Sequence, residues 1–389
     1  MIGVCIKYFH ENYGGMLQAY ATVSILKEMG IDYELIQYKK SLSVKEKVKS
    51  IPRLINGILL NDKYETFKKK RGLKKHPEFA KNEAIRKKAF KEFNEEHFTK
   101  LSPVFVGYEN LKKGAERYEA VLTGSDQLWS PAGLPTNFYN LMFVPDNIRK
   151  ISYASSFGVK QIPWYQKKRT SQYLRRIDYI SMREKRGSEI VKELTGRQVP
   201  TILDPVFMFD RSGWEKLIPT KKLINSHYIF AYFLGNNPEY RRAVKQAAKE
   251  LDCQVVVLRH LDQYIPADET FGDIAPYNIA PDQFLNLLRG ASYVCTDSFH
   301  GSCFSIIYRK PFVIFNRYLE ESKHSKNSRI DTLCENLDLQ DRRYQSMTSL
   351  SNQLTKRINY EAVEEKFIKI KKETDNYLKV AFRGISREQ

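Results

Sequence analysis

Cysteine is scarce in this chain of 389 residues, and its five thiols, Cys5, Cys253, Cys295, Cys303 and Cys334, are scattered over nearly the whole length with no Cys-x-x-Cys pair. An odd number without close spacing argues against a disulfide framework, so reduced, mostly buried thiols are expected. Cys295 and Cys303 flank His300, but that spacing fits neither a zinc site nor a thiol-nucleophile motif, and no metal is expected. Also missing is any stretch approaching the roughly 18 to 20 uninterrupted apolar residues of a membrane span, which leaves a soluble or peripheral protein. The opening MIGVCIKYF runs directly into a strand-like pattern without a basic segment, apolar stretch and small-residue cleavage site, so a cytoplasmic location is expected. No solenoid-length repeat is present.

Acidic residues are the other deficit. There are 45 Asp and Glu against 64 Lys and Arg, a net charge of +19, and the imbalance is uneven. Residues 39 to 100 hold 19 Lys and Arg against 8 Asp and Glu. A negatively charged partner is implied: nucleic acid, an anionic membrane face or a phosphorylated substrate would each satisfy the electrostatics, as would a merely solvated helical insertion.

The 42% hydrophobic and 28% charged residues are globular values, and the length suits two domains of about 150 to 200 residues. Ile2, Val4 and Ile6 open a strand; Asn12 to Gly15 turn into a helix whose Met16, Ala19, Val23 and Leu26 share one face. Gly30 ends it and Tyr33 to Gln37 reads as the next strand, a βαβ opening. A basic helical insertion is expected over about 41–115, containing a helical run from Arg86 to Phe98. Short apolar runs typical of buried parallel strands then follow at Ala120 to Thr123, Ile151 to Ala154, Tyr179 to Met182 and Thr201 to Leu203. A second half repeats the rhythm from His227 to Phe315. The expected architecture is α/β: two doubly wound, Rossmann-like lobes, residues 1–210 and 211–355, then a C-terminal amphipathic helix and tail, 356–389.

In open α/β sheets ligands bind beyond the carboxyl ends of the strands. Four polar segments lie there. Asn12-Tyr13-Gly14-Gly15 precedes the first helix, as an anion or hydroxyl site or a plain tight turn. Gly124-Ser125-Asp126-Gln127 with Trp129 suits a sugar, or is an N-capped helix start. Ser181-Met182-Arg183-Glu184 offers a guanidinium for a phosphate or carboxylate, or an ion pair with Glu184 or another acid. Thr296-Asp297-Ser298-Phe299-His300-Gly301 frames a histidine able to exchange protons near neutral pH, or a structural one.

The ordered set NYGGMLQAY, TGSDQLW, ISYASSFG, SMREKRG, ILDPVF, CTDSFHG and NSRIDTLCENL resembles the polysaccharide pyruvyl transferase family, with order and spacing agreeing over roughly residues 1 to 340. The resemblance implies a fold similar to the two-lobed GT-B glycosyltransferases, with the active site between the lobes. It also implies transfer of a pyruvyl group from phosphoenolpyruvate to two hydroxyls of one sugar, leaving a cyclic ketal. No cofactor is required, phosphoenolpyruvate being the donor substrate. Arg183 matches the family's serine-x-arginine motif and His300 its histidine-glycine motif. The resemblance implies donor binding by Arg183 and acid or base work by His300; from their place at the crevice, Asp126 is expected in catalysis, Ser298 and Arg329 at the donor, with a surface role as the alternative for Arg329, and Asn12, Gly14, Gly15, Ser125 and Gln127 at the acceptor. Family members commonly carry arginine where this chain has Ser298; Arg317, Lys326 or Arg329 would have to compensate.

Two other functions compete: a GT-B glycosyltransferase using a nucleotide sugar, which the same lobes would serve, and a nucleic-acid-binding protein. The insertion's aromatics, Tyr64, Phe67, Phe79, Phe90, Phe93 and Phe98, are spaced more like helix core than a stacking platform, so nucleic acid is not expected as a partner. An anionic membrane surface is a candidate partner, because residues 39 to 75 combine Lys and Arg with the apolar segment Ile51 to Leu60, which would otherwise pack on the first lobe. That would hold the protein peripherally at the inner face, near a sugar acceptor carried on a lipid diphosphate.

Overall fold

The apolar runs form two all-parallel sheets. In the computed structural model, which describes residues 1–41, 64, 72–131, 136–261, 264–317 and 328–386, the first part of the chain runs through β1 (Ile2–Cys5), α1 (Tyr13–Glu28), β2 (Tyr33–Lys39), α2 (Pro77–His97), β3 (Leu101–Val106), α3 (Tyr108–Ala115), β4 (Ala120–Thr123), β5 (Arg149–Ser155), α4 (Lys167–Arg176), β6 (Tyr179–Met182) and α5 (Lys185–Thr195). Its six strands are ordered β3-β2-β1-β4-β5-β6. The order reverses between β1 and β4, which opens a crevice at their carboxyl ends.

The second part comprises α6 (Arg211–Leu217), β7 (Tyr228–Tyr232), α7 (Pro238–Glu250), β8 (Gln254–Val257), α8 (Pro281–Gly290), β9 (Tyr293–Thr296), α9 (Phe299–Ile307), β10 (Phe312–Ile314), α10 (Ser328–Leu337), α11 (Leu350–Thr355) and α12 (Tyr360–Ala381). Its sheet runs β10-β9-β7-β8. Single parallel bridges from Val256 to Ile274 and from Ile314 to Arg343 extend it at both edges in the same sense as the first sheet. Both halves are therefore doubly wound, with a second switch point between β7 and β9.

The two switch points face one another. Helix α1 starts where the Asn12 side chain accepts from the Gly15 N–H at 2.8 Å, and it is buried on nearly all sides rather than on one apolar stripe. Its Tyr13 stacks on Phe284 of α8, with ring centres 4.7 Å apart, and donates to the Ile279 carbonyl at 2.9 Å. Phe90 and Phe93 of α2 and the adjoining Phe98 enter the same core, as their helical spacing requires. α12 ties the halves together: Tyr360 donates to the Lys310 carbonyl, and Tyr377, almost five turns on, donates to Ser152 of β5.

Two expectations change. Leu101–Val106 pairs with β2, so the end of the expected insertion belongs to the sheet. Thr201–Leu203 makes only a single bridge, Thr201 to Met182, because Asp204 caps a 3-10 turn, Pro205–Met208, that pulls the chain away. Of the apolar-basic stretch proposed to meet a membrane, residues 42–63 and 65–71 lie outside the described residues. Among the described residues, no helix is long and apolar enough to cross a membrane.

Candidate active site

Arg183 leaves the carboxyl end of β6 with its backbone N–H bonded to the Ser155 carbonyl, and its side chain is fully enclosed. Nη1 donates to Asp204 Oδ2 at 2.8 Å and lies 3.4 Å from Ser125 Oγ, while Nη2 reaches Asp126 Oδ1 at 3.3 Å. The Ser125 hydroxyl also donates to Asp204 Oδ2, at 2.8 Å. One carboxylate from the turn after the first sheet thus gathers an arginine from β6 and a serine from the end of β4.

The second half supplies the opposing wall. Ser298 caps α9 by accepting from the Gly301 N–H, which fixes the first turn and sets His300 Nε2 3.6 Å from Asp204 Oδ2. His300 is buried, and its Nε2 makes no hydrogen bond. Its ring lies so close over Gly14 of α1 that any Cβ at position 14 would overlap it. Here glycine is required by contact between the lobes rather than by backbone freedom. Phe299 lies beneath two cations, with the Arg183 and Arg329 guanidinium carbons 4.8 and 5.6 Å from its ring centre. Arg329, on α10, approaches Asp126 Oδ1 at 3.9 Å.

The electrostatics follow from these distances. Burial alone would raise the Asp204 carboxyl, but the neighbouring His300 and Arg183 outweigh it and hold the group well below the usual carboxylate range. Asp126 is depressed in the same way, burial being overcome by Arg183, Lys7 and Arg329. Arg183 is held more firmly cationic than usual, since Asp204 and Asp126 outweigh its desolvation. Glu184 goes the other way: burial pushes it up despite Arg183 and Arg329. An anionic pair, a locked guanidinium and a carboxyl pushed up by burial therefore sit around one crevice.

Asp126 reaches this position through a left-handed backbone, φ +73°, held by its carbonyl accepting from Leu128 and Ser156. For a residue with a side chain such a turn costs of order 1–3 kcal/mol. Its side chain remains 24% exposed, making it the accessible carboxylate of the pair.

Of the residues singled out in the sequence, the fold brings Gly14, Ser125, Asp126, Arg183, His300 and Arg329 together. Asn12 and Gly15 bond to each other as the α1 cap. Gln127 turns toward Gly158, its Nε2 buried without a hydrogen-bond partner. Ser298 acts as a helix cap. Trp129 offers no face to a sugar: it is 2% exposed, packs with Phe157 and Tyr173 and donates to the Tyr139 carbonyl. The ion-pair alternative for Arg183 holds, but with Asp204 and Asp126; the Glu184 carboxylate instead accepts from Ser156 at 2.8 Å. Cys295 and Cys303 are buried, with thiols pushed up by desolvation.

Asp204 and Phe299, which lie at the centre of this cluster, were not singled out from the sequence. Asp204 carried the usable signal, an acid directly after a short apolar run in ILDPVF, the criterion that identified the other four segments.

Residues 12–317 match the family model described as polysaccharide pyruvyl transferase. No curated protein matches the chain. Among solved structures, S. aureus MnaA with UDP is similar at TM-score 0.51 and 11% identity, over 100% of this chain and 98% of that one. A UDP-N-acetylglucosamine 2-epimerase is similar at TM-score 0.50 and 11% identity, over 98% of this chain and 94% of that one. At such identities the likeness concerns the fold, two Rossmann-like lobes in GT-B-like arrangement.

Proposed function

Because the chain belongs to the polysaccharide pyruvyl transferase family, we propose that it transfers the pyruvyl group of phosphoenolpyruvate to two hydroxyls of one sugar during surface-polysaccharide assembly, in the crevice around Asp204. The observation that carries the reading is the convergence of Arg183, Arg329 and His300 on the Asp126–Asp204 pair from both lobes. Phosphoenolpyruvate presents a carboxylate and a phosphate, which need fixed cations. Arg329 supplies one where the family's common arginine is replaced by Ser298.

The chemistry has two additions. A proton goes to the methylene carbon while a sugar oxygen bonds to C2 and loses its proton; the C2–O bond to phosphate then breaks, and the second hydroxyl closes the ketal and gives up its proton. One of the two hydroxyl protons balances the methyl group and the other the released phosphate. In this reading His300 carries protons between sugar oxygen and donor, with the Asp204 carboxylate, 3.6 Å from Nε2, stabilising the imidazolium. Asp126 orders both guanidiniums until the donor's oxygens replace it. Asn12, Gly14, Gly15 and Ser125 shape the wall on which the acceptor rests, and Gln127 stays packed toward Gly158 behind it.

The rival is a nucleotide-sugar glycosyltransferase on the same fold. Incubating the protein with lipid-linked and soluble glycan acceptors separates the two. Phosphate release from phosphoenolpyruvate, with a glycan mass gain corresponding to a ketal, supports the proposal. Release of nucleoside diphosphate from nucleotide sugars, with phosphoenolpyruvate inert, overturns it.

A further inference from the structure

A second surface, outside the crevice, combines exposed aromatics with an acid-free basic helix. After β5 the chain passes Phe157 and Gly158 and exposes Trp164 and Tyr165, 82% and 47% accessible and packed edge to face with ring centres 5.7 Å apart. α4 begins immediately after. From Asn147 to Ile177 the sequence has eight Lys and Arg and no Asp or Glu.

Several of these cations are engaged in the fold. Arg149 bonds carbonyls of the C-terminal segment, the Lys150 ammonium bonds the Pro145 and Ile148 carbonyls, Arg169 donates to Asn137, and Arg176 holds Asp146. Lys167, Lys168 and Arg175 remain exposed. Lys168 and Arg175 stand seven residues apart on the side of α4 opposite Thr170, Tyr173 and Leu174, which are buried. The nearby acids Glu189 and Glu193 are held by Arg186. The face is therefore cationic as well as aromatic.

We propose that Trp164, Tyr165, Lys167, Lys168 and Arg175 form a docking face for an anionic lipid bilayer. A Trp–Tyr pair suits the headgroup level, where a ring is half in hydrocarbon and its polar edge in water, and ammonium and guanidinium groups around it select a negative surface. A neutral glycan could stack on the rings but would leave the acid-free cationic field without a partner. The segment springs from the carboxyl end of β5, and its Ser156 holds Glu184 at the crevice, so docking would bring the crevice edge to the membrane. This placement suits an acceptor on a lipid diphosphate and, in that clause alone, rests on the pyruvyl-transfer reading.

The three tryptophans allow a direct test, because Trp129 and Trp214 are buried and Trp164 is not. The full chain is titrated with vesicles of phosphatidylcholine alone or with phosphatidylglycerol, at low and high salt, following tryptophan emission, shielding from an aqueous quencher and flotation. Expected are a blue shift and shielding with the anionic vesicles, reversed by salt. W164A/Y165A should lower partitioning about tenfold, and K167E/K168E by at least about twentyfold, since each lysine contributes about fivefold. Trp164 emission that stays water-exposed on anionic vesicles overturns the proposal. So does full affinity of W164A/Y165A, which would assign binding to the basic stretch before α2, or an equal shift with soluble glycan alone. Both variants should turn over a soluble acceptor normally, so loss of docking and failure of the pyruvyl-transfer reading are separate results.

Discussion

The two sheets share one winding order, but their carboxyl ends are chemically different. At the first, charges converge from separate segments and keep open valences: Asp126 is partly exposed, Arg183 is shared between two acids, and Asp204 reaches across to His300. At the second, charges are satisfied within their own lobe. Asp297 accepts from the Leu234 and Gly235 N–H groups at 2.7 and 2.8 Å, and Arg241 pairs with buried Asp268 at 2.6 Å while bonding the Gly235 carbonyl. Position at a strand end is thus insufficient for a catalytic assignment; unsatisfied or shared bonding capacity separates the two ends. His300 and Arg329 are the exceptions in the second lobe, and both face the first.

The largest effect should come from removing the centre of the first cluster. Asp204→Ala leaves Arg183 buried without its main partner and should cost about 3–5 kcal/mol of unfolding free energy at neutral pH, measured by urea titration. The depressed carboxyl gives this loss a pH signature. Its folded-state pKa lies below the unfolded one, near 3.9, so its stabilisation is present above that value and lost as pH falls through the folded pKa. The wild-type–Asp204→Asn stability difference should therefore shrink in acid; a difference constant down to acid unfolding would contradict the assignment.

His300→Ala should reduce turnover about a hundredfold or more, the usual scale for a lost general acid or base, with secondary structure by circular dichroism unchanged. Near-native phosphate release by the folded variant would remove His300 from the chemistry and leave Arg329 as the second lobe's contribution.

Arg183→Ala should weaken phosphoenolpyruvate binding by about 1.5–3 kcal/mol in calorimetry. Arg183→Lys, which keeps the charge but not the forked geometry, should recover only part of this. Unchanged donor affinity in both folded variants would place the donor elsewhere.

The smallest effect sharpens the contrast from the other side. Asp297→Asn removes a carboxylate pushed up by burial but retains one acceptor oxygen for the Leu234–Gly235 loop. It should cost about 1 kcal/mol in stability and leave the KM for phosphoenolpyruvate within about twofold, the change left when a satisfied structural contact is trimmed. A selective rise in that KM would make the second lobe's loop a donor site and erase the distinction drawn here.

Both lobes and the crevice were readable in the chain because a buried parallel strand is a short apolar run, and the polar residues after it mark the ligand edge. Arg183, Asp126 and His300 were found that way. The positional rule could not separate Asn12, which caps its own helix, from Ser125, which bonds Asp204 79 residues away. Nor could it show that Trp129 faces inward or that Leu101–Val106 belongs to the sheet, since neither property is local. Element type, apolar periodicity and the order of the motifs were determined by sequence alone, through the local repeat of strand and helix. Which charges meet, which remain open, and that Gly14 must be small to admit His300 were decided only by tertiary structure, because these depend on contacts between segments far apart in the chain.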